Sequence, residues 1–248
     1  MKVLPIASSS SGNATLIFND NTHILIDAGV AAKKILEASG RKSFDALFIS
    51  HSHGDHISGA GPLGRKTKVP IYINEIEYKS KENEFTSCII KYIDETSVIT
   101  IGDFIVKPFS VKHDSKHPLG FVIEEPSTST KLAYITDSGA ISKTMRLATK
   151  ECNAVYIEAD YDVDLLEKYS EYDQFLKDRI SSNFGHLSNE QALEYISTYD
   201  INILKAVIIG HISERTNTPE KIMEHVKAKF PGYENKFKIA PFTCEIIV

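Results

Sequence analysis

Six short apolar runs in this chain stop abruptly at an acidic residue or a histidine. THILI ends at Asp27 before AG, DALFIS ends at His51, and DFIVKPFSV leads to His113. KLAYIT ends at Asp137 before SG, NAVYI ends at Glu158, and KAVIIG ends at His211. Each run has the length and β-branched composition of a strand. Several are apolar at nearly every position, as in strands covered on both faces. In sheets covered by helices, ligands collect at the carboxyl ends of strands. The pattern therefore predicts an α/β fold whose strands deliver metal-type side chains to one edge.

Helices are marked by their caps. Apolar residues at helical spacing over 30–39 predict a helix stopped by Gly40. Ser188 and Gln191 form an S-x-x-Q capping box ahead of ALEYI. Thr218 and Pro219 supply the N-cap and first position of EKIMEHVKAKF, with Ile222, Met223, Val226 and Phe230 on one face and Pro231 beyond it. The charged stretch 162–180 reads as an outer helix, and EEPSTST at 124–130 as a polar hairpin turn. With 248 residues, no repeat and no linker, one domain over 1–248 is expected.

Composition excludes some classes. No apolar run approaches the roughly 18–20 residues that span a bilayer, so no membrane partner is expected. The start, MKVLPIASSSSGN, has no long apolar region and no A-x-A site, so no secretory signal is expected either. Cys88, Cys152 and Cys244 are an odd, scattered set, which fits a reducing cytoplasm rather than a disulfide framework. The net charge of −5 excludes a strongly basic nucleic-acid surface in bulk but says little about a cleft that bound cations would recharge.

Residues 50–59 read SHSHGDHISG. His51 and His53 are two apart, so in extended chain they point to the same side and can hold one ion. Asp55 and His56 follow a turn at Gly54 and can hold a second. His113 and His211 each offer an imidazole at a strand end, and Asp137 can bridge both ions. Imidazole and carboxylate with no thiolate suit zinc, and also manganese or iron. Two divalent ions about 3.5–4 Å apart lower the pKa of a shared water towards roughly 7, which makes a nucleophile at neutral pH. His113 is preferred over His117, which precedes a proline in a loop. His23 beside a turn and His225 on a charged helix face are expected to be solvated. Asp27 is expected to hold the metal loop from behind rather than to ligate.

Asp27 in LIDAG, HSHGDH, a later histidine, Asp137 in ITDSG and a late histidine together resemble the five motifs of the metallo-β-lactamase superfamily. The resemblance covers essentially the whole chain and implies a four-layer αββα sandwich with two metals at one edge. His56 is a residue that many lactam-hydrolysing members lack, and His53 stands where flavodiiron proteins carry a glutamate. IASSSSGNATLI, GHLSNEQA and GHISERTNTPE resemble the YycJ (WalJ) group, regarded as cytoplasmic nucleases related to ribonuclease Z and to the PhnP phosphodiesterase.

That resemblance implies a phosphodiesterase, a DNA exonuclease above all. Asp55 then serves the nucleophilic water through its metal, His186 donates a proton to the leaving oxygen, and Glu158 holds the His186 ring, as in the Glu–His pair attributed to ribonuclease Z. Ser11 and Asn13 in the SSGN turn, with Ser213 and Arg215 after His211, are candidate phosphate contacts. Lys177 with Arg179, and the GRKTK cluster of Arg65, Lys66 and Lys68, are further basic groups. A small-molecule hydrolase on the same fold (cyclic phosphodiesterase, lactonase or thioesterase) stays open, because fold alone does not choose substrate. Metal identity, DNA against RNA, digestion polarity and oligomeric state also stay open.

Overall fold

The computed structural model describes residues 1–241 and 245–248, so Cys244 lies outside the described residues. The strands form two seven-stranded sheets. The first holds β1 (Lys2–Ser9), β2 (Gly12–Phe18), β3 (His23–Ile26), β4 (Ala46–Phe48), β5 (Pro70–Ile73) and β6 (Ile89–Tyr92). The second holds β7 (Ile99–Ile101), β8 (Phe104–Ser110), β9 (Leu119–Glu125), β10 (Thr130–Ile135), β11 (Ala154–Glu158), β12 (Ala206–Gly210) and β13 (Phe237–Ile239). A last strand, β14 (Ile246–Ile247), pairs with β1. The helices are α1 (Ala32–Ser39), α2 (Gly54–Ile57), α3 (Ala60–Thr67), α4 (Glu75–Ser80), α5 (Lys143–Thr149), α6 (Val163–Lys168), α7 (Gln174–Ile180), α8 (Asn189–Ile196) and α9 (Pro219–Lys229).

The two sheets share a plan. Antiparallel pairing from β1 to β3 becomes parallel from β3 to β6. Antiparallel pairing from β7 to β10 becomes parallel from β10 to β13. The chain leaves the two switch strands, β3 and β10, through Asp27 and Asp137.

Alternate side chains of each strand go to opposite faces, and both faces are covered. Ile17, Ile24 and Phe48 of the first sheet meet Phe121, Tyr134 and Tyr156 of the second in a buried inner layer. Leu16, Leu25 and Leu47 face outward against Ile35 of α1 and Leu63 of α3. Val155, Ile157 and Ile209 face outward against Met145 of α5, Leu193 of α8, and Ile222 and Val226 of α9. This is the four-layer αββα sandwich, and it explains why the runs are apolar at every position. Fully burying one such side chain is worth about 1.5–3 kcal/mol, so the sandwich is a stiff frame for the residues at its edge.

The caps take the expected positions. The Ser188 hydroxyl accepts the Gln191 amide, and the Gln191 side chain accepts the Ser188 amide. Thr218 caps α9 through the amide of Lys221, and Gly40 closes α1 in the left-handed region at φ 64. Two expectations are corrected. α1 starts at Ala32, not at Val30. The stretch 162–180 is two helices, each begun by an aspartate: Asp162 caps α6 through Leu165, and Asp173 caps α7 through Leu176. Aspartate satisfies the free amides of a helix start better than it serves a helix interior, so the second aspartate restarts the helix.

Candidate metal centre and its flanking cleft

The strand ends converge through unusual backbone. Asp27, Asp137 and His211 have φ of 60, 52 and 44, the left-handed region that residues with a Cβ avoid. Such conformations cost about 1–3 kcal/mol each and persist where the surrounding structure forces them. Each turns the chain sharply at a strand end. His53 is extended, at φ −67 and ψ 151, and α2 starts at Gly54. This one-turn helix carries Asp55 and His56 back towards the strand ends.

The gathered side chains form two joined clusters. His51, His53 and His113 bring ligand atoms within 4.8 Å of one another, and so do Asp55, His56 and His211. Asp137 joins them: its Oδ2 lies 2.8 Å from His56 Nε2 and 3.4 Å from His211 Nδ1, and its Oδ1 lies 3.8 Å from His113 Nε2. His113 Nε2 is 3.3 Å from His53 Nδ1.

The atoms facing the centre of this group fit a divalent cation. His51 Nε2, His211 Nδ1 and Asp137 Oδ2 are buried without a well-aligned hydrogen-bond partner, and buried polar atoms seldom go unpaired. Burial first, then the neighbouring His56 ring, pushes His51 well below its ordinary pKa, and burial lowers His53, His113 and His211 too. Neutral imidazoles present lone pairs, the state a metal requires. At His56 burial is outweighed by Asp137 and Asp27, which hold the ring well above its ordinary value.

Other groups fix the ligands from behind. Asp27 Oδ1 accepts the Ser50 amide at 2.8 Å, and Oδ2 accepts the Ser50 hydroxyl at 2.8 Å and lies 2.8 Å from His56 Nδ1. His51 Nδ1 lies 3.0 Å from that same hydroxyl. His113 Nδ1 donates to Gly185 O at 3.0 Å. Asn13 is buried under the metal loop, with Nδ2 3.3 Å from Asp55 Oδ2 and 3.1 Å from His56 Nε2. It is therefore placed to position ligands, not to meet a phosphate as the sequence led us to expect.

Three carboxylates escaped the sequence reading. Glu77 of α4 accepts from the Ser52 amide and hydroxyl, the Ser115 hydroxyl and the His117 amide, and so fixes the chain between His51 and His53. Asp114 lies 3.2 Å from His113 Nε2 and ties Arg179 of α7 to the centre, with Arg179 Nε at 2.7 Å. Asp160 is buried, and the Ser10 hydroxyl reaches its carboxylate at 3.5 Å.

Beside the centre, His186 Nδ1 is 2.9 Å from Glu158 Oε2 and 3.5 Å from Asp137 Oδ1. Burial alone would lower His186, but the carboxylates of Asp160, Glu158 and Asp137 raise it to about 10. His186 lines a cleft of about 180 Å³ roofed by Leu176 and Arg179 of α7, with Asp160, Tyr172 and Ser213 also on its wall. A larger groove, about 500 Å³, runs past Ser11, Gly12 and Ser213.

The remaining candidates take their own places. Ser11 is exposed in the β1–β2 turn, 3.2 Å from Glu214 Oε1. The Ser213 hydroxyl accepts the amides of Arg215 and Thr216. Arg215 points along the surface to Tyr169 and Glu171 at 3.4 Å, and Lys177 donates to Glu167 O. Arg65 of α3 turns to the carbonyls of Glu84 and Thr86. His117 pairs with Glu95, away from the centre. His23 and His225 are not solvated as expected: His23 is buried in β3 and stacks on Phe18, and His225 is half-buried, 3.0 Å from Asp162. His23 is covered across its own β2–β3 hairpin, and His225 by a residue remote in sequence.

The model of the metallo-beta-lactamase superfamily matches residues 9–139. The chain belongs to the metallo-β-lactamase superfamily. Exodeoxyribonuclease WalJ of Streptococcus pneumoniae is 35% identical over 225 residues, covering 87% of this chain and 82% of that protein. Exodeoxyribonuclease YycJ of Bacillus anthracis is 32% identical over 224 residues, covering 87% and 83%. Among solved structures, the metallo-β-lactamase fold protein YhfI from Bacillus subtilis superposes with a TM-score of 0.73 at 18% identity, covering 99% of each chain. Human tRNase Z, short form, gives 0.65 at 16%, covering 100% and 99%. At these identities the structures share the fold alone. A His/Asp cluster able to hold divalent metal stands at the strand ends of this fold.

Proposed function

We propose that this chain is a metal-dependent exodeoxyribonuclease, with the centre built from His51, His53, Asp55, His56, His113, Asp137 and His211. The observation that carries the reading is the Glu158–His186 pair, with His186 Nδ1 3.5 Å from Asp137 of the ligand cluster and the ring on the wall of the flanking cleft. A thioester, whose thiolate leaves readily near neutral pH, does not need such a protonated imidazole beside its leaving group; the alkoxide leaving from a DNA phosphodiester does. The printed activities of the WalJ and YycJ relatives support DNA as the substrate.

His51, His53 and His113 would hold one divalent ion, and Asp55, His56 and His211 a second, with Asp137 between them; zinc suits this set best. Such ions supply Lewis acidity to a phosphoryl oxygen and a water of lowered pKa. The chain supplies the rest. Asp27 and Ser50 keep the His51 and His56 rings oriented, which metal affinity depends on. Glu158 fixes Nδ1 of His186 and so leaves Nε2 to deliver the proton, a step worth about 10²–10⁴ in rate. Arg179, anchored on Asp114, keeps α7 over the cleft, so a strand end enters more readily than a continuous duplex. The free thiols of Cys88 and Cys152 suit a reducing compartment, and we place the enzyme in the cytoplasm. Among the described residues, no helix is long and apolar enough to cross a membrane.

The test is turnover by metal-loaded protein of 5′-labelled single- and double-stranded DNA, RNA and bis-p-nitrophenyl phosphate, with Asp55→Ala as control. Stepwise shortening of DNA that the control lacks is the expected result. Turnover of the small diester alone would transfer the assignment to a small-molecule phosphodiesterase.

A further inference from the structure

One more group of metal-type side chains converges outside the histidine-rich centre. Asp162 at the start of α6, Glu190 in the first turn of α8 and His225 of α9 each bring one ligand atom within 4.8 Å of the other two. His225 Nε2 lies 3.0 Å from Asp162 Oδ2 and 3.5 Å from Glu190 Oε1. Zinc holds nitrogen and oxygen ligands at about 2.0–2.2 Å, which sets the edges of a tetrahedron at about 3.3–3.6 Å. The 3.5 Å separation matches that spacing and the 3.0 Å one falls a few tenths of an ångström short, so a small opening of the pair would seat an ion.

The donors are also available. Asp162 is 5% exposed at its side chain, and its Oδ1 is taken by the amide of Leu165. Its Oδ2 has His225 and, at 3.5 Å, Asn189 Nδ2. Two carboxylates therefore aim at one imidazole nitrogen, which has a single proton to offer. The three residues border a cavity of about 580 Å³, whose wall adds the carboxylates of Asp164 and Glu224. Its one lysine, Lys221, is paired with Glu224 at 3.0 Å.

We propose that Asp162, Glu190 and His225 form a further divalent-cation site, of zinc type, with a free position for water. Its place gives it a structural task. Asp160 N donates to Leu187 O, Asn189 N to Tyr161 O, and Asp162 N to Thr216 O, at 2.9, 3.0 and 2.9 Å. These bonds lace together the segments that carry Glu158, His186 and His211. An ion on the outer side of the lacing clamps the same segments from three helices, so the site positions the cleft without touching substrate. The assignment does not depend on the nuclease reading.

The experiment is zinc stoichiometry. Full-length wild type, Glu190→Gln and His225→Ala are stripped with chelator, dialysed against the same micromolar free zinc, and measured by elemental mass spectrometry. The expected result is one zinc per chain fewer in each variant than in wild type, together with a smaller zinc-induced rise in melting temperature. Equal zinc in all three proteins overturns the site. Glu190 is about half exposed, so Glu190→Gln leaves the fold intact and decides the matter alone if His225→Ala does not fold.

Discussion

His186 and Glu158 meet at 2.9 Å, and the other oxygen of Glu158 accepts the amide N–H of Ser138, the residue after Asp137. The His186 ring is thus tied through one carboxylate to the backbone beside Asp137, the proposed bridging ligand. If the ring delivers a proton to the leaving oxygen, its removal should matter only where that oxygen needs one. His186→Ala is expected to keep its zinc and to lose about 10²–10⁴ in kcat on DNA. On bis-p-nitrophenyl phosphate, whose leaving phenolate needs no proton, the loss should be much smaller. Steady-state kinetics on both substrates decide. An equal loss on both would make His186 a residue that shapes the loop.

Asp27 belongs to none of the groups that could hold a metal at the centre, yet two of the proposed ligand rings depend on it. Its carboxylate takes the amide and hydroxyl of Ser50 and lies against His56 Nδ1, and the same hydroxyl meets His51. In Asp27→Asn an amide N–H₂ replaces one acceptor and confronts that hydroxyl and that ring. Zinc affinity, measured by competition with a chelator, is expected to fall about 10–100-fold. Unchanged affinity would remove Asp27 from the support of the centre.

What could be read from the chain follows from how local each signal is. A covered strand shows its composition within its own few residues, so KLAYIT and KAVIIG announce themselves, as does the capping box of Ser188 and Gln191. The αββα layering was legible through the motif resemblance. Glu77 was not legible: nothing local in EIEYKS marks it, and it matters because Ser52, Ser115 and His117 fold onto it. Asp160 and Asp114 are equally silent until β1 and α7 close over them. The left-handed backbone at Asp27, Asp137 and His211 falls on residue types that tolerate it better than most, but aspartate and histidine are far more often found elsewhere, so the sequence alone does not mark it. His225 was read as solvated because its partners, Asp162 and Glu190, lie on other helices.

Glu77 gives a pH dependence with a definite sign. Burial would raise its pKa, but donors from Ser52, His117 and Ser115 outweigh burial and hold it below the ordinary 4.5. A carboxylate depressed in the folded state adds stability that is complete above its unfolded pKa and is lost as pH falls through the folded one. Wild type is therefore expected to exceed Glu77→Gln in stability at neutral pH, by about 1–3 kcal/mol. The gap should close as pH drops below 4.5. Urea titrations of both proteins in chelator, from neutral to acid, keep metal release out of the comparison. A gap that does not change with pH would sink the assignment.

Two glycines near the metal loop should answer oppositely to the same change. The segment after Asp27 runs back to back with α2: Ala28 N donates to His56 O at 2.9 Å and Gly29 N to Asn13 O at 2.7 Å. A Cβ on Gly29 would stand 1.6 Å from the carbonyl oxygen of Asp55 and 2.1 Å from its carbon. Those are backbone atoms and cannot swing away, so Gly29→Ala must push α2 outward, and Asp55 and His56 with it. A Cβ on Gly54, at the start of the same helix, meets nothing within 4 Å. Gly54→Ala is expected to stay within about 0.5 kcal/mol of wild type, with full zinc binding and activity. Gly29→Ala is expected to weaken zinc binding at Asp55, His56 and His211 more than at His51, His53 and His113, and to lose DNA cleavage. Zinc titration and turnover of the two variants side by side test this; matching behaviour would mean that contact between these backbones does not set the ligand geometry.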